Sequence, residues 1–492
     1  MMKTIAVNPY LPAWEYVPDG EPHIFGDRVY VYGSHDISHG KSYCVQDYVC
    51  WSAPDDDLGN WKNEGVIYKR TDDLPNTNPC ESLYAPDVCK GSDGRYYLYY
   101  CPANDGQKPY RCGVAVCDTP AGHYTYLADV NLPQCKEFMI FDPGVFVDDD
   151  KRVWLYYGFG LGNCRGIKDM LAVKGGAVVE LDKDMHTIIS KPKLTVPNMF
   201  HAKKTGYDGH AFFEASSMRK VNGKYYFIYS SQVSHELCYA VSDKPNGDFV
   251  YGGTLISNGD IGLNDNKKAK FNTGNNHGSL LEINGQWYIF WHRHTQRTGY
   301  SRQACADKIT LNPDGTFSQA EMTSCGLNGG ALPAKGTYSA HIACNILDAK
   351  YHGRKATYIN EEGSGIYSNA FMHNIRGGVS VGFKYFEFTK PVHLEMEWRL
   401  SVKKAPLARG NIPVKGTLEV YNNLSARPLA TVHIHGVAHY WQKATVDIDL
   451  KGKQPLFIKY AGDKAIDLNQ ISFIEKEYNE TLCSKRRAGQ NL

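Results

Sequence analysis

The chain has 492 residues, of which 42% are hydrophobic and 22% charged, and its net charge is +2. This length exceeds one ordinary core, so we expect two domains. The near-neutral charge argues against a nucleic-acid partner, and no stretch has the apolar length of a membrane-spanning helix. Aromatic residues make up 12%, with 34 Tyr beside 47 Gly and 23 Pro. That composition favours an all-β fold.

The N-terminal segment, MMKTIAVNPYLPAWEY, lacks the basic region and long apolar run of a signal peptide. The 14 cysteines form no CxxC pair and no Cys/His group at zinc spacing. We therefore expect a cytoplasmic protein with reduced thiols. A disulfide framework is the alternative.

A unit made of a tight polar turn and an aromatic-rich strand recurs five times. Its copies are separated by roughly 60 to 70 residues, about the length of a four-stranded propeller blade with generous loops. Another short apolar run precedes each copy, so each unit is predicted to be a hairpin. The copies are GDRVYVYGS, DGRYYLYYC, DKRVWLYYG, NGKYYFIYS and NGQWYIFWH, anchored at Arg28, Arg95, Arg152, Lys224 and Gln286.

The repeat predicts a five-bladed β-propeller over residues 1–325. A two-sheet sandwich or a β-helix is the alternative, although a β-helix needs shorter and more regular repeats. Residues at the start of a blade's innermost strand line one mouth of the central channel. The equivalent positions, nine or ten residues before each anchor, are Asp19, Ala85, Asp142, Glu214 and the pair Asn276–His277.

Three of these five positions are acidic, and the repeat brings them together. Clustered carboxylates repel one another, so a fold that gathers them has a use for them. Glycosidic cleavage needs such a pair: one acid protonates the leaving oxygen, and the other activates water or attacks carbon. A calcium site built from the three carboxylates is the competing interpretation. An isolated Asp at such a position is commonly a turn or cap residue.

The same segments resemble glycoside hydrolase family 43, the five-bladed propellers that act on plant polysaccharides. The resemblance covers roughly residues 7 to 325. It is carried by five ordered segments: NPYLPAWEYVPDGEPHIFGDRVYVYGSHD, LYAPDVCKGSDGRYYLYY, MIFDPGVFVDDDKRVWLYYG, FFEASSMRKVNGKYYFIYS and NNHGSLLEINGQWYIFWHRHT.

The resemblance implies hydrolysis with inversion. Asp19 is then the general base, Glu214 the general acid, and Asp142 the residue that orients the acid and modulates its pKa. An inverting pair is expected to hold its carboxyl groups about 6.5 to 9.5 Å apart, with water between them. A separation near 5 Å, at about which the second acid acts as nucleophile, would contradict this assignment.

Three further site residues come from the same resemblance. Tyr84 replaces the family's usual Trp and is expected to contact sugar. Arg293 matches an arginine near the bound sugar, with a salt bridge to one of the acids as an alternative role. His277 matches an axial histidine that often lies beside a structural calcium or its waters. The chemistry itself requires no cofactor.

The composition changes after residue 325. Residues 326–336 are predicted to be a linker, residues 337–478 a jelly-roll-like β-sandwich, and residues 479–492 a disordered basic tail. The sandwich segment resembles carbohydrate-binding module family 6, with Trp441 at a position that commonly stacks on a sugar. A purely structural role beside the first domain is the alternative for this domain.

The leading hypothesis is an exo-acting hydrolase that releases terminal pentoses from plant-derived oligosaccharides. α-L-Arabinofuranosidase is the first choice, with β-xylosidase and β-galactofuranosidase as alternatives. A non-catalytic carbohydrate-binding propeller and a protein-binding scaffold are hypotheses of other classes. Neither of those requires three acids at equivalent positions. The oligomeric state is not predicted.

Overall fold

In a computed structural model, the chain is described over residues 3–75, 80–103, 111–132, 137–160, 171–347, 355–401, 413–437 and 440–476. Its contacts divide it into two units. The first comprises 1–330, 344–346 and 358–369, and the second comprises 331–343, 347–357 and 370–492. The division therefore falls at residue 330, and two later segments return to the first unit.

The first unit contains five antiparallel sheets, each built from strands that follow one another in the chain. Four sheets have four strands and the fifth has three. The strands of the first two sheets are β1 Glu21–Phe25, β2 Arg28–Tyr32, β3 Tyr48–Pro54, β4 Lys62–Tyr68, β5 Ser82–Lys90, β6 Tyr96–Ala103, β7 Cys112–Cys117 and β8 Thr125–Val130.

The remaining three sheets follow the same order. Their strands are β9 Gly144–Val147, β10 Val153–Tyr157, β11 Gly175–Leu181, β12 Lys193–Pro197, β13 Phe212–Val221, β14 Lys224–Ser231, β15 Glu236–Ser242, β16 Val250–Ser257, β17 Leu280–Ile283, β18 Gln286–His294 and β19 Arg302–Lys308. Every sheet thus begins with one of the five hairpins that the repeat predicts.

Asn-Gly turns close two of these hairpins. Asn222 and Gly223 have φ of 50° and 80°, and Asn284 and Gly285 have 50° and 79°. Positive φ at both central residues defines the turn that matches the right-handed twist of paired strands. The turn chemistry therefore sets the register of the hairpins.

The N-terminal segment borders the three-stranded fifth sheet. The Tyr10 N–H donates to the Ala304 carbonyl at 3.3 Å, and the Ala306 N–H donates to Asn8 Oδ1 at 3.0 Å. A parallel bridge also joins Gly20 to Gly278. Both connections link the beginning of the first unit to its last sheet.

Apolar side chains fill the spaces between neighbouring sheets. Tyr99 of β6 and Leu155 of β10 share one buried cluster, and Trp154 and Phe227 share the next. Burying a side chain of this size stabilises the fold by about 1.5–3 kcal/mol. The aromatic content noted in the sequence is thus largely used between sheets.

The chain beyond residue 330 contributes two further sheets, and the β25 ring of Phe386 contacts the β31 ring of Phe473 at 4.6 Å. The later strands are β20 Leu332–Pro333, β21 Gly336–Ser339, β22 Asn345–Leu347, β23 Tyr358–Glu362, β24 Asn369–Ile375, β25 Ser380–Phe388, β26 Val392–Leu400, β27 Pro413–Tyr421, β28 Ala430–Val437, β29 Gln442–Ile448, β30 Gly452–Gly462 and β31 Ile466–Glu475. Short 3-10 turns lie at Leu263–Asp265, Gly326–Asn328, Ala340–Ile342 and Gly365–Tyr367.

The cysteines of the described segments are free thiols, and nearly all are buried. Within those same segments, no helix has the length and apolarity needed to cross a membrane. The predicted tail, 479–492, lies outside the described residues.

Candidate active site

Three acids predicted to converge, Asp19, Asp142 and Glu214, line one cavity of about 400 Å³ in the first unit. Asp19 lies two residues before β1, Asp142 lies two residues before β9, and Glu214 lies near the start of β13. The other lining residues are Tyr43, Cys44, Tyr84, Phe141, Phe159, Phe213, Ser234, Asn275, His277 and Arg302. The repeat therefore places the acids correctly, although it assigns them no role.

The backbone around the acids is irregular. Asp19 and Asp142 have φ of 59° and 43°, and Ala215, next to Glu214, has 67°. The pairing of β13 with β14 shifts register on both sides of Glu214. Left-handed φ in a non-glycine residue costs of order 1–3 kcal/mol, and such residues occur in turns and cluster at functional sites. Bulges re-aim side chains in the same way.

Two glycines permit the close approach of backbones beside the acids. A Cβ on Gly144 would lie 2.2 Å from the Ser216 carbonyl oxygen, and one on Gly278 would lie 2.0 Å from that of Phe290. No side chain fits at those distances. The glycines of the FDPG and NNHG motifs are therefore required by packing at the site.

Asp19 is held as a carboxylate. Arg302 Nη1 donates to its Oδ1 at 2.8 Å, and His292 Nδ1 lies 3.2 Å from the same oxygen. Burial raises the pKa of Asp19, but the charge of Arg302 and the contact with His292 outweigh it and hold that pKa well below its ordinary value. Arg302 is itself fixed by Asp36, with Nε–Oδ2 at 2.8 Å. Asp19 is therefore ionised at neutral pH.

Glu214 has the opposite character. Burial, followed by the negative charge of Asp19, raises its pKa to about 8, although Arg302 opposes the change. Burial and the charges of Glu214 and Asp19 also raise the pKa of Asp142 well above its ordinary value. Glu214 thus keeps a proton at neutral pH because of burial and the negative charge of Asp19.

Asp142 also supports Glu214 through the backbone. Its Oδ2 accepts the N–H of Ala215 at 3.1 Å. That hydrogen bond fixes the residue after Glu214 in its left-handed conformation. The contact is consistent with an orienting role for Asp142.

His277 lies between the acids. Its Nδ1 is 3.6 Å from Asp142 Oδ2 and 4.0 Å from Asp19 Oδ1. Burial lowers the pKa of His277 to about 4 against the opposing charge of Asp19. The ring is therefore neutral at neutral pH.

The donors around His277 fit a calcium ion poorly. Calcium takes roughly six to eight oxygen ligands. Here one imidazole nitrogen is offered, while Asp19 is bound to Arg302 and Asp142 accepts a backbone N–H. In the described part of the chain, the His, Cys and carboxylate groups close enough to share an ion lie elsewhere, at His210–Glu236–Cys238 and Glu21–His23–Asp87.

One wall of the cavity is aromatic. Tyr84 contacts Phe141 with ring centroids 5.3 Å apart, Phe141 contacts Phe159 at 5.2 Å, and Phe159 contacts Phe213 at 5.2 Å. Such a row offers flat apolar surface to the C–H face of a sugar. Sequence reasoning found Tyr84 and missed the three phenylalanines. Phe141 and Phe213 each directly precede a predicted acid, which is a usable signal.

The arginine in the lining is Arg302, and Arg293 lies on a different side of its sheet. Arg293 is buried, and its Nη2 donates to Gln303 Oε1 at 2.9 Å. Arg293 and Gln303 are paired across β18 and β19, so Arg302 is one residue out of phase and faces the opposite way. The salt bridge to an acid that was considered for Arg293 is made by Arg302.

Trp441 belongs to the second unit and is partly buried. Its ring packs against Phe371 at 5.6 Å, and the Arg399 guanidinium lies 4.2 Å from its centroid. Sugar binding by Trp441 stays a prediction.

Residues 18–317 match the family model described as glycosyl hydrolases family 43. The chain belongs to glycosyl hydrolase family 43. It is 44% identical to a xylosidase/arabinosidase of Thermoclostridium stercorarium, over 96% of this chain and 99% of the relative. The glycosidase class inferred from the three acids is thereby confirmed.

Two solved family 43 structures are similar. One is CoXyl43, a β-xylosidase/α-arabinofuranosidase from a compost microbial metagenome, in complex with xylotriose and in a calcium-free form. It has a TM-score of 0.52 and 26% identity over 64% of this chain and 98% of its own. The other, an arabinoxylan arabinofuranohydrolase from Bacillus subtilis in complex with cellotetraose, has a TM-score of 0.51 and 19% identity over 95% of this chain and 97% of its own. The latter likeness concerns the fold alone.

Proposed function

We propose that this family 43 glycosidase removes terminal pentoses from oligosaccharides by a single displacement with inversion. The observation that carries the proposal is that one cavity holds two acids with opposite surroundings, Asp19 bound by Arg302 and Glu214 without that contact among the hydrogen bonds of the described residues. Arg302 keeps Asp19 ionised, whereas burial and Asp19 keep Glu214 protonated. This division is the one required of a general base and a general acid.

In the proposed mechanism, Asp19 removes a proton from a water molecule, which attacks the anomeric carbon. Glu214 gives its proton to the glycosidic oxygen as the bond to the leaving group breaks. Asp142 holds Glu214 in place through the Ala215 N–H. Neutral His277 and the aromatic wall shape the pocket for one sugar ring.

The substrate is proposed to be a terminal α-L-arabinofuranosyl or β-D-xylosyl residue on a short plant-derived oligosaccharide. The similar protein of T. stercorarium is named for both activities, and CoXyl43 carries both names. A β-D-galactofuranoside is the third candidate, because furanosides share a shape. A cytoplasmic location, still a prediction, favours short imported oligosaccharides.

A panel of nitrophenyl α-L-arabinofuranoside, β-D-xyloside and β-D-galactofuranoside tests the proposal, with Asp19→Asn, which lacks the general base, as the inactive control. We expect hydrolysis of one or both pentosides. Hydrolysis of none, together with measurable sugar binding by calorimetry, would favour a non-catalytic carbohydrate-binding protein.

We further propose that the five sheets are the blades of a propeller and that the second unit is a β-sandwich resembling a carbohydrate-binding module. The consecutive strand order of the five sheets and the contact between Phe386 and Phe473 support this. A structural calcium beside His277 stays a prediction that the donors around that histidine do not favour. The melting temperature before and after chelation, with calcium added back, tests it.

A further inference from the structure

Glu361 lies beyond residue 317, where the family match ends, yet it belongs to the catalytic unit. It is in strand β23, Tyr358–Glu362, and is only 7% exposed. The segment 358–369 groups with the first unit although its neighbours in sequence belong to the second. A buried carboxylate on a returning segment requires a reason, since burying a charge is costly unless donors surround it.

Three side chains from the first unit contact this carboxylate. Tyr16 donates its hydroxyl to Glu361 Oε2, Ser38 Oγ donates to the same oxygen at 2.7 Å, and Gln296 Nε2 lies 3.4 Å from it. Gln296 Nε2 also donates to the Tyr16 hydroxyl at 2.8 Å and to Ser38 at 2.9 Å. A backbone hydrogen bond also connects β23 to the loop of Gln296, because the Gln296 N–H donates to the Ile359 carbonyl at 2.8 Å. Glu361 therefore fastens three separate loops together.

Two of these loops lead directly to Asp36, the partner of Arg302. The Asp36 N–H donates to the Tyr16 carbonyl at 2.9 Å, and Asp36 is two residues from Ser38. Arg302 in turn donates two hydrogen bonds to the Asp36 carboxylate, from Nε to Oδ2 at 2.8 Å and from Nη2 to Oδ1 at 3.1 Å.

The third loop leads to Arg302 from the other side. Gln296 lies in the connection between β18 and β19, where the Thr295 hydroxyl donates to the Ser301 carbonyl at 2.7 Å. Ser301, the residue before Arg302, donates its hydroxyl to the Ile37 carbonyl at 2.7 Å. All three loops anchored by Glu361 thus converge on the ion pair of Asp36 and Arg302.

We propose that Glu361 is a positioning residue for the general base: it anchors the loops that hold Arg302 against Asp19. The inference rests on the proposed function of Asp19. The proposal gives strand β23 a role in the active site of the first unit, although the strand lies outside the matched family region. Glu361 itself is not among the residues that line the cavity.

The test compares Glu361→Gln with Glu362→Gln, the adjacent exposed carboxylate. Glutamine keeps the size and one acceptor oxygen but removes the negative charge, so the hydrogen bonds from Tyr16, Ser38 and Gln296 to this position lose their charge assistance. We expect kcat to fall on the order of 10-fold, because small displacements at a distance misplace reacting groups. KM should change less. The acid limb of kcat/KM should move to higher pH, because a looser Arg302 lets the pKa of Asp19 rise. Glu362→Gln should match the wild type in all three.

A purely structural role would lower the melting temperature of Glu361→Gln and leave kcat and the acid limb of the folded enzyme unchanged. That result would overturn the proposal. Tyr16→Phe combined with Glu361→Gln should be less damaging than the sum of the single changes, and full additivity would also count against it.

Failure of the proposed function can be distinguished from failure of this inference. Wild-type protein that hydrolyses no pentoside contradicts the function. Amide hydrogen exchange of residues 36–40 and 295–301 then decides the anchoring, since it needs no substrate. Faster exchange there in Glu361→Gln, and not in Glu362→Gln, supports the anchoring; equal exchange refutes it.

Discussion

At the scale of single residues, the site depends on the difference in pKa between two carboxyl groups, of which only one is in direct contact with Arg302 among the described contacts. Arg302 contacts Asp19 directly, so Asp19 loses its proton, and the resulting negative charge helps Glu214 keep its own. Burial is the larger cause of the raised pKa of Glu214, and Asp19 adds to it. The cavity is therefore prepared for acid and base chemistry before substrate binds.

Removal of either acid should abolish most turnover without unfolding the protein. We expect Asp19→Asn and Glu214→Gln each to lower kcat by about 10²–10⁴-fold, the usual contribution of general acid–base catalysis. Glu214→Gln should lose less on a nitrophenyl glycoside than on xylobiose, because nitrophenolate leaves without a proton. Asp243→Asn, whose side chain is 82% exposed, is the matched control. Full activity in both acid variants would contradict the assignment.

The pH profile should follow from the two pKa shifts. Glu214 must be protonated, so activity is lost as the pH rises through its pKa of about 8. Asp19 must be ionised, so activity persists well into acid and falls only as the pH approaches its depressed pKa.

Replacing Asp142 separates orientation from pKa modulation. Burial and Asp19 raise the pKa of Glu214, so Asp142→Asn should lower kcat while the basic limb of kcat/KM stays near pH 8. Asparagine can still accept the Ala215 N–H, so the protein should fold. A basic limb displaced to clearly lower pH would show that Asp142 modulates the acid, as the family resemblance implies.

At the scale of strands and loops, the acids are presented by strained turns that only tight packing permits. Asp142, Gly144 and Ala215 form one such group, in which the backbones of β9 and β13 approach so closely that no Cβ fits on Gly144. The geometry of the acids is therefore coupled to the contact between neighbouring sheets.

Gly144→Ala should consequently damage both stability and catalysis. The new methyl group would meet the Ser216 carbonyl, and overpacking of this kind costs about 1–3 kcal/mol. Gly206→Ala is the control, since a Cβ there meets nothing within 4 Å. Chemical denaturation measures the free energy of unfolding of both variants, and equal stability of the two would contradict the packing argument.

The repeat explains why three acids could be placed from sequence and why their partners could not. Asp19, Asp142 and Glu214 occupy equivalent positions, so finding the repeat suffices to bring them together. Arg302 is different: the family resemblance pointed to Arg293 on β18, whereas Arg302 lies on β19 next to Gln303, the partner of Arg293, and therefore on the opposite face of the sheet. Glu361 lies in a distant segment outside the repeat, so the repeat could not place it in the first unit.

At the scale of the whole molecule, five consecutive sheets provide the framework, and a segment beyond them completes the catalytic unit. The family match ends at residue 317, whereas the similarity to the T. stercorarium protein extends over 96% of the chain. The later part of the chain is thus shared with that relative as a whole. Truncation at the end of the matched region would remove Glu361 and its hydrogen bonds.

Ionised Asp19 and protonated Glu214 are proposed to act together in a single displacement. Proton NMR of the first sugar released from a pentoside, recorded before mutarotation, distinguishes this mechanism from a double displacement. We expect the anomer opposite to that of the substrate, such as α-D-xylose from a β-D-xyloside. Release of the retained anomer would make Asp19 a nucleophile and would contradict its role as general base.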